Sequence, residues 1–270
     1  MKISFIGGGN MAQALISGLQ KHAFTMQNIH VVELDEHKRQ QLQQTFGIQA
    51  SADLANIALC DVIVFAVKPQ QLKAVATSVT PYLNKQCVIS IAAGVRLTDL
   101  SRWLNHYPAI VRSMPNTPAQ IQAGVTALYA MPAVTKEQIS KTDQVLSAVG
   151  QTLWLDSELK LDAVTAISGS GPAYVFYFIE ALQLAALELG LNAKEAKLLS
   201  LHTFAGASAL AIASDSDVAT LRAQVTSKGG TTEQGILSLE SSQVNTAIIQ
   251  AAKAAAKRSV ELGDLLSQSE

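Results

Sequence analysis

Lys2-Ile3-Ser4-Phe5-Ile6-Gly7-Gly8-Gly9-Asn10-Met11-Ala12 decides the fold of this chain. The first five residues form an apolar-rich run too short for a helix and stopped by glycine, which reads as a buried strand. The next six, Gly7, Gly8, Gly9, Asn10, Met11 and Ala12, fit G-x-G-x-x-A. Ala14, Leu15, Gly18 and Leu19 then recur at helical spacing. A strand, a glycine turn and a helix in that order make a dinucleotide fingerprint. The first glycine permits the tight turn, the second lets a pyrophosphate approach the backbone, and the small third residue lets helix pack on strand.

Outward from that turn, the first half alternates strands with helices. A strand over 29–33 ends on Glu33, where an acid accepts the adenosine ribose 2′-hydroxyl of NAD. Lys38 and Arg39 follow and could meet the 2′-phosphate of NADP, so the cofactor reads as NADPH or NADH. Asp61-Val62-Ile63-Val64-Phe65-Ala66-Val67 is a strand buried on both faces, halted at Lys68-Pro69. Further strands are expected over 88–91, 109–112, 125–129 and 152–155, with helices over 97–104 and 136–149. Between them, Ser113-Met114-Pro115-Asn116-Thr117-Pro118-Ala119 is either a rigid binding loop at a strand end or a proline-stiffened turn.

After Asp156 only helical patterns remain. Ser168-Gly169-Ser170-Gly171-Pro172 leads into a helix running to about Leu189 that is apolar nearly all round. A helix without a polar face is buried on every side, and a hundred-residue domain hardly surrounds one alone, so a second subunit is the expected cover. Asn192 with Glu195 caps the next helix, and a short one is expected near 218–224. Val225-Thr226-Ser227-Lys228-Gly229-Gly230-Thr231-Thr232-Glu233-Gln234-Gly235 reads as a loop before a helix capped by a Thr231/Gln234 box. It is either a well-capped helix and nothing more, or an anion site built from N–H groups and the helix dipole. A final helix is expected over 243–265. The expected fold class is α/β, an N-terminal Rossmann-type dinucleotide-binding domain over 1–158 followed by an all-α dimerisation domain over 159–270.

Composition bounds the function. Of 270 residues, 49% are apolar and 15% charged, more apolar residue than the chain's own surface hides, which suits oligomerisation. A formal charge of −1 gives no bulk attraction to nucleic acid or a membrane surface. The run 172–187 is interrupted by Glu180 and Gln183 and is short for a membrane span. No signal peptide is read at the N-terminus, so the expected location is cytoplasmic. Cys60 and Cys87 make neither a disulfide framework nor a metal spacing, and no metal cluster is visible. No acid–base constellation stands out either. A nicotinamide fold without one suits reduction of a C=N bond, because a cyclic imine protonated by solvent accepts hydride directly.

Gly7-Gly8-Gly9-Asn10-Met11-Ala12, Ala66-Val67-Lys68-Pro69, Met114-Pro115-Asn116-Thr117-Pro118, residues 168–174 and residues 225–232 together resemble the pyrroline-5-carboxylate reductase family, in the right order over nearly the whole chain. The resemblance implies an enzyme that reduces L-1-pyrroline-5-carboxylate with NAD(P)H to L-proline, and a homodimer or a higher homo-oligomer built on dimers. It implies that residues 7–12 hold the pyrophosphate and that Ala66, Val67, Lys68 and Pro69 line the nicotinamide and its ribose. Asn116 and Thr117 border the nicotinamide pocket. Ser227, Gly229, Gly230 and Thr231 hold the substrate carboxylate, largely through N–H groups. By the same resemblance Thr232 would hydrogen-bond the ring nitrogen and could relay a proton. Glu33 departs from the family, which more often prefers NADPH and carries a neutral or basic residue there. Two rivals stand beside this reading. A β-hydroxyacid dehydrogenase would place a lysine on the long helix after the glycine-rich turn, and residues 173–189 contain none. A dinucleotide sensor or scaffold would share the fold without turnover.

Overall fold

The computed structural model describes residues 1–268, which divide into two compact units: Met1–Ser170 together with the stretch from Ala254 on, and Gly171–Lys253. The first unit contains β1 (Ile3–Ile6), α1 (Asn10–Lys21), β2 (Ile29–Val32), α2 (Glu36–Phe46), β3 (Gln49–Ser51), β4 (Val62–Phe65) and α3 (Pro69–Val79). It continues through β5 (Cys87–Ser90), α4 (Leu97–Trp103), β6 (Ile110–Met114), β7 (Gly124–Ala130), α5 (Lys136–Leu146), β8 (Gly150–Trp154) and α6 (Lys160–Val164).

The eight strands form one sheet in the order β3-β2-β1-β4-β5-β6-β7-β8. β1, β2, β4 and β5 are buried at every residue, and their side chains alternate between two cores. Phe5, Val31, Val64 and Ile89 pack with Leu15 and Leu19 of α1, while Ile6, Ile63, Phe65 and Val88 pack with Leu72 of α3 and Leu100 of α4. Apolar residues on both faces are what a sheet covered on both sides requires.

β7 runs antiparallel to β6, whereas β8 returns parallel to β7. Length explains the difference. A crossover between parallel strands needs a dozen or more residues, and only the short segment 115–123 separates β6 from β7. The longer one carrying α5 reaches β8 in parallel. Two elements carry no clear sequence pattern: β3 is short and only partly buried, and α3 begins on the proline that reads as a strand stop. Pro69 ends one element and starts the next, because its missing N–H and fixed φ suit the first helical turn.

Residues 168–172 depart from expectation in part. They lead into a helix as expected, with Pro172 in the first turn of the helix that begins at Gly171, but Ser168 and Gly169 also close a π-helical turn, Thr165–Gly169, directly after α6. The hydroxyls of Thr165 and Ser168 donate back to the carbonyls of Leu161 (2.8 Å) and Val164 (3.1 Å), and the Ser170 N–H reaches five residues back to Thr165 O at 2.8 Å. Such back-bonding widens a helical turn rather than ending it.

The stretch from Ala254 on counts with the first unit. The Ser259 hydroxyl donates to Asp162 at 2.6 Å, and Arg96 pairs with Asp264 at 2.6 Å. Arg112, buried in the middle of β6, pairs with Glu158 at 2.8 Å, and the same carboxylate accepts the Leu97 N–H at 2.8 Å.

The second unit is all helix: α7 (Gly171–Glu188), α8 (Ala193–Ala213), α9 (Val218–Gln224), α10 (Thr231–Ser241) and the first turns of α11 (Val244–Gln268). The Asn192/Glu195 capping box forms as expected. α7 has no buried residue, with Phe176 65% and Tyr177 71% exposed. The expectation of a helix buried on all sides therefore fails within one chain. Among the described residues, the helix long and apolar enough by length and composition to cross a membrane is α8, not residues 172–187.

Candidate active site

The strand order reverses direction between β1 and β4, and the carboxyl ends of those two strands form the switch point at which open α/β sheets bind ligands. The glycine turn after β1 and residues 66–69 after β4 meet there. Gly7 has φ +99°, and a Cβ on it would lie 2.8 Å from the carbonyl oxygen of Ala66, so both conformation and proximity require glycine. Gly7 N–H donates to Val32 O at 2.8 Å, and Ala66 N–H to Ile6 O at 2.9 Å. Lys68 is exposed and precedes Pro69 at the start of α3.

The dinucleotide fits this turn. α1 begins after Gly9 with no side-chain cap and no acid in its first turn, leaving its leading N–H groups and the positive end of its dipole for an anion. A side chain on Gly9 would meet no protein atom within 4 Å, so the space is open. Asn10 is exposed, Met11 half-buried, and Ala12 fully buried in the core beneath the turn. Gln13, which the sequence reading passed over, braces the turn: its Nε2 donates to Gly8 O at 2.9 Å.

Glu33 lies just past β2, and its two oxygens are placed by two N–H groups: Oε2 accepts from Gly8 at 3.0 Å and Oε1 from Asp35 at 3.1 Å. Arg39 is already engaged. Its Nη1 donates to the carbonyls of Glu33 (2.8 Å) and Leu34 (2.7 Å).

β6 runs parallel to β5, so Asn116 and Thr117 follow the same sheet edge. Asn116 is buried and both ends of its amide are used: Nδ2 donates to Ser168 O at 3.1 Å, and Oδ1 accepts from Val125 N–H at 2.9 Å. Its side chain fixes the loop shape, and the exposed Thr117 stands beside it.

Ser227, Gly229, Gly230, Thr231 and Thr232 come together on one turn in the second unit, at the start of α10. The Thr231/Gln234 capping box is not formed. Gly230 occupies the cap position and offers no side chain. Glu233 turns back instead, accepting the Gly229 N–H at 2.7 Å, while the Gly230 N–H donates to Ser227 O at 3.0 Å. A glutamate in the first turn is a stronger acceptor than a hydroxyl and complements the helix dipole. Gly229 holds φ +75°, and a Cβ there would meet nothing within 4 Å. Both glycine N–H groups read as carboxylate donors thus have protein partners in this structure. The first-turn N–H groups of Thr231 and Thr232 receive no side-chain cap.

Other reactive groups are quiet. Burial pushes the thiols of Cys60 and Cys87 up to about 11, so neither is a nucleophile near neutrality. His30 sits between Ser4 Oγ (3.3 Å) and Ser51 Oγ (3.0 Å). Burial lowers its pKa, against the pull of Asp53. Among the described residues, no group of three or more His, Cys, Asp or Glu is placed to hold a metal ion.

Residues 158–262 match the family described as pyrroline-5-carboxylate reductase dimerisation, and residues 2–94 match the coenzyme F420-dependent NADP oxidoreductase family. A pyrroline-5-carboxylate reductase of Pseudomonas aeruginosa is 42% identical over 99% of this chain and 98% of its own length. Pyrroline-5-carboxylate reductase 2 of Bacillus subtilis is 36% identical over 97% and 95%. Among solved structures, a pyrroline-5-carboxylate reductase from Coxiella burnetii superposes with a TM-score of 0.92 at 40% identity, covering 97% of this chain and 98% of that one. The Plasmodium falciparum pyrroline carboxylate reductase with NADP bound gives 0.87 at 29% identity, over 97% and 98%.

Proposed function

The chain belongs to the pyrroline-5-carboxylate reductase family, and from that premise we propose how its residues divide the work. The activity is reduction of the C=N bond of L-1-pyrroline-5-carboxylate to give L-proline, with NADPH or NADH, when bound, supplying the hydride. The observation that carries it is likeness along nearly the whole chain to relatives that bear this name.

Residues 1–158 serve the dinucleotide, and 159–270 serve substrate binding and dimerisation. Gly7, Gly8, Gly9, Asn10, Met11 and Ala12 cradle the pyrophosphate on the uncapped start of α1. Ala66, Val67, Lys68 and Pro69 line the nicotinamide and its ribose, bordered by Asn116 and Thr117. Ser227, Gly229, Gly230 and Thr231 clamp the substrate carboxylate. Gly229 and Gly230 now donate to Glu233 and Ser227, so the clamp draws on the first-turn N–H groups of α10 unless those partners yield. Thr232 hydrogen-bonds the ring nitrogen. The imine carries a proton from solvent, its carbon receives the hydride, and the nitrogen keeps its proton as the product amine. Thr232 therefore orients the acceptor and needs no strong base. The lysine-dependent dehydrogenase reading falls with the family membership. The location we propose is cytoplasmic.

The test is oxidation of NADH or NADPH by the purified protein with pyrroline-5-carboxylate, in the wild type and in Thr232→Ala. The expected result is turnover in the wild type and a fall in kcat/KM of roughly tenfold or more in the variant, the effect of losing one hydrogen bond to a charged group. Wild-type kinetics in Thr232→Ala would remove that residue from the site.

A further inference from the structure

We infer that Glu33 makes this enzyme discriminate in favour of NADH over NADPH. This rests on the assignment of residues 7–12 as the pyrophosphate turn. It runs against the NADP in the description of the family matched by residues 2–94 and against the NADP bound in the Plasmodium neighbour.

Three observations carry it. First, the carboxylate is placed rather than free. Gly8 N–H and Asp35 N–H each hold one oxygen, at 3.0 and 3.1 Å. A Cβ on the buried Gly8 would lie 3.3 Å from Oε2, so the group sits hard against the turn. Second, an ionised carboxylate offers about four acceptor sites and no donor. Two sites are taken by those N–H groups, and the remaining capacity suits the two hydroxyls of an adenosine ribose, which donate. A 2′-phosphate has nothing to donate and needs cations or N–H groups. Third, the cations here are poorly disposed to supply them. Arg39 commits its Nη1 to the carbonyls of Glu33 and Leu34, which ties the guanidinium to the backbone after β2. Lys38 is exposed at the start of α2, among the carboxylates of Asp35 and Glu36. Asp35 is held in its charged form, below the usual carboxylate range, first by the Lys38 N–H. Over residues 33–39 there are three carboxylates (33, 35, 36) and two cations (38, 39), so 2 − 3 leaves a local charge of −1 with the histidine neutral. A phosphate dianion entering there meets like charge.

The experiment measures binding of ADP-ribose and 2′-phospho-ADP-ribose to the full-length protein by calorimetry, with kcat/KM for NADH and NADPH alongside. The expected wild-type result is ADP-ribose tighter by roughly tenfold or more. Glu33→Gln keeps the shape and an acceptor for Gly8 while removing the charge, and Glu33→Ser serves should it misfold. Either variant should weaken ADP-ribose, strengthen the phosphorylated fragment and bring the ratio near one or below. Arg39→Gln should leave the ratio nearly unchanged. Equal or tighter wild-type binding of 2′-phospho-ADP-ribose overturns the inference, as does a ratio that follows Arg39 rather than Glu33. Binding of neither fragment overturns the assignment of the glycine turn and this inference with it, while leaving the reduction of pyrroline-5-carboxylate to its own assay.

Discussion

Phe5 and Phe176 mark the difference between the two regions of this molecule. Phe5 lies in β1 with no exposed surface, and Phe176 lies on α7 with 65% of its surface exposed. The same residue type meets opposite surroundings because the sheet closes its own core, whereas the helices of 171–253 present apolar surface that their unit leaves uncovered. α8 alone exposes Leu198, Leu199, Leu201, Leu210 and Ile212. Burying a large apolar side chain contributes roughly 1.5–3 kcal/mol. A surface of this kind is therefore a strong drive to association, in a region that matches a dimerisation family. The first unit covers its own core, whereas the second presents the apolar surface that a dimerisation region has to cover.

That comparison can be broken at either end. Phe65→Ala opens a cavity in a closed core, and we expect a loss of about 3–5 kcal/mol in denaturant unfolding, independent of protein concentration. A loss that disappears on concentrating the protein would show that this unit, too, leans on a partner. Phe176→Asp should leave the far-ultraviolet spectrum intact and weaken the homo-oligomer by roughly a hundredfold or more, read by light scattering on dilution, since it places an unpaired charge in the proposed interface. An unchanged oligomer would remove α7 from that interface.

The smallest effect sharpens the contrast from inside the sheet. Burial holds the His30 pKa below its ordinary 6.5, so the folded chain prefers the neutral ring. Below 6.5 the unfolded chain takes up a proton that the folded one refuses. Stability is therefore full above that pH and falls as the pH drops toward the lowered folded value. His30→Gln should flatten this slope in thermal melts taken between about pH 7 and pH 5. An identical slope would assign the acid sensitivity elsewhere.

Much of this architecture was legible as pattern. The strand–turn–helix at 3–21 follows from the run of apolar residues and three glycines, and the start of α8 from Asn192 and Glu195 three apart. The start of α10 was legible, but its cap was not. Thr231 and Gly230 compete for the cap position, and Gln234 and Glu233 for reaching back to the N–H groups ahead of the helix; geometry gave the cap to Gly230 and the back-bond to Glu233. The pyrophosphate turn could be read because its requirement is local. The roles of Gln13, Arg39 and Asn116 could not, because each is defined by a carbonyl or N–H supplied from elsewhere in the fold.

The sequence by itself determined the order and type of most elements, the dinucleotide turn and its acidic neighbour Glu33, and the apolar surplus of the second half. Periodicity and glycine placement act over a few residues and need no partner to be read. Only the tertiary structure decided that β7 reverses against β6, that residues 254–268 count with the first unit, that residues 165–169 widen into a π turn, and that Arg39 bonds two carbonyls. Each of these is a choice among several partners that the chain could offer. It is settled by which groups long-range packing brings within hydrogen-bonding distance.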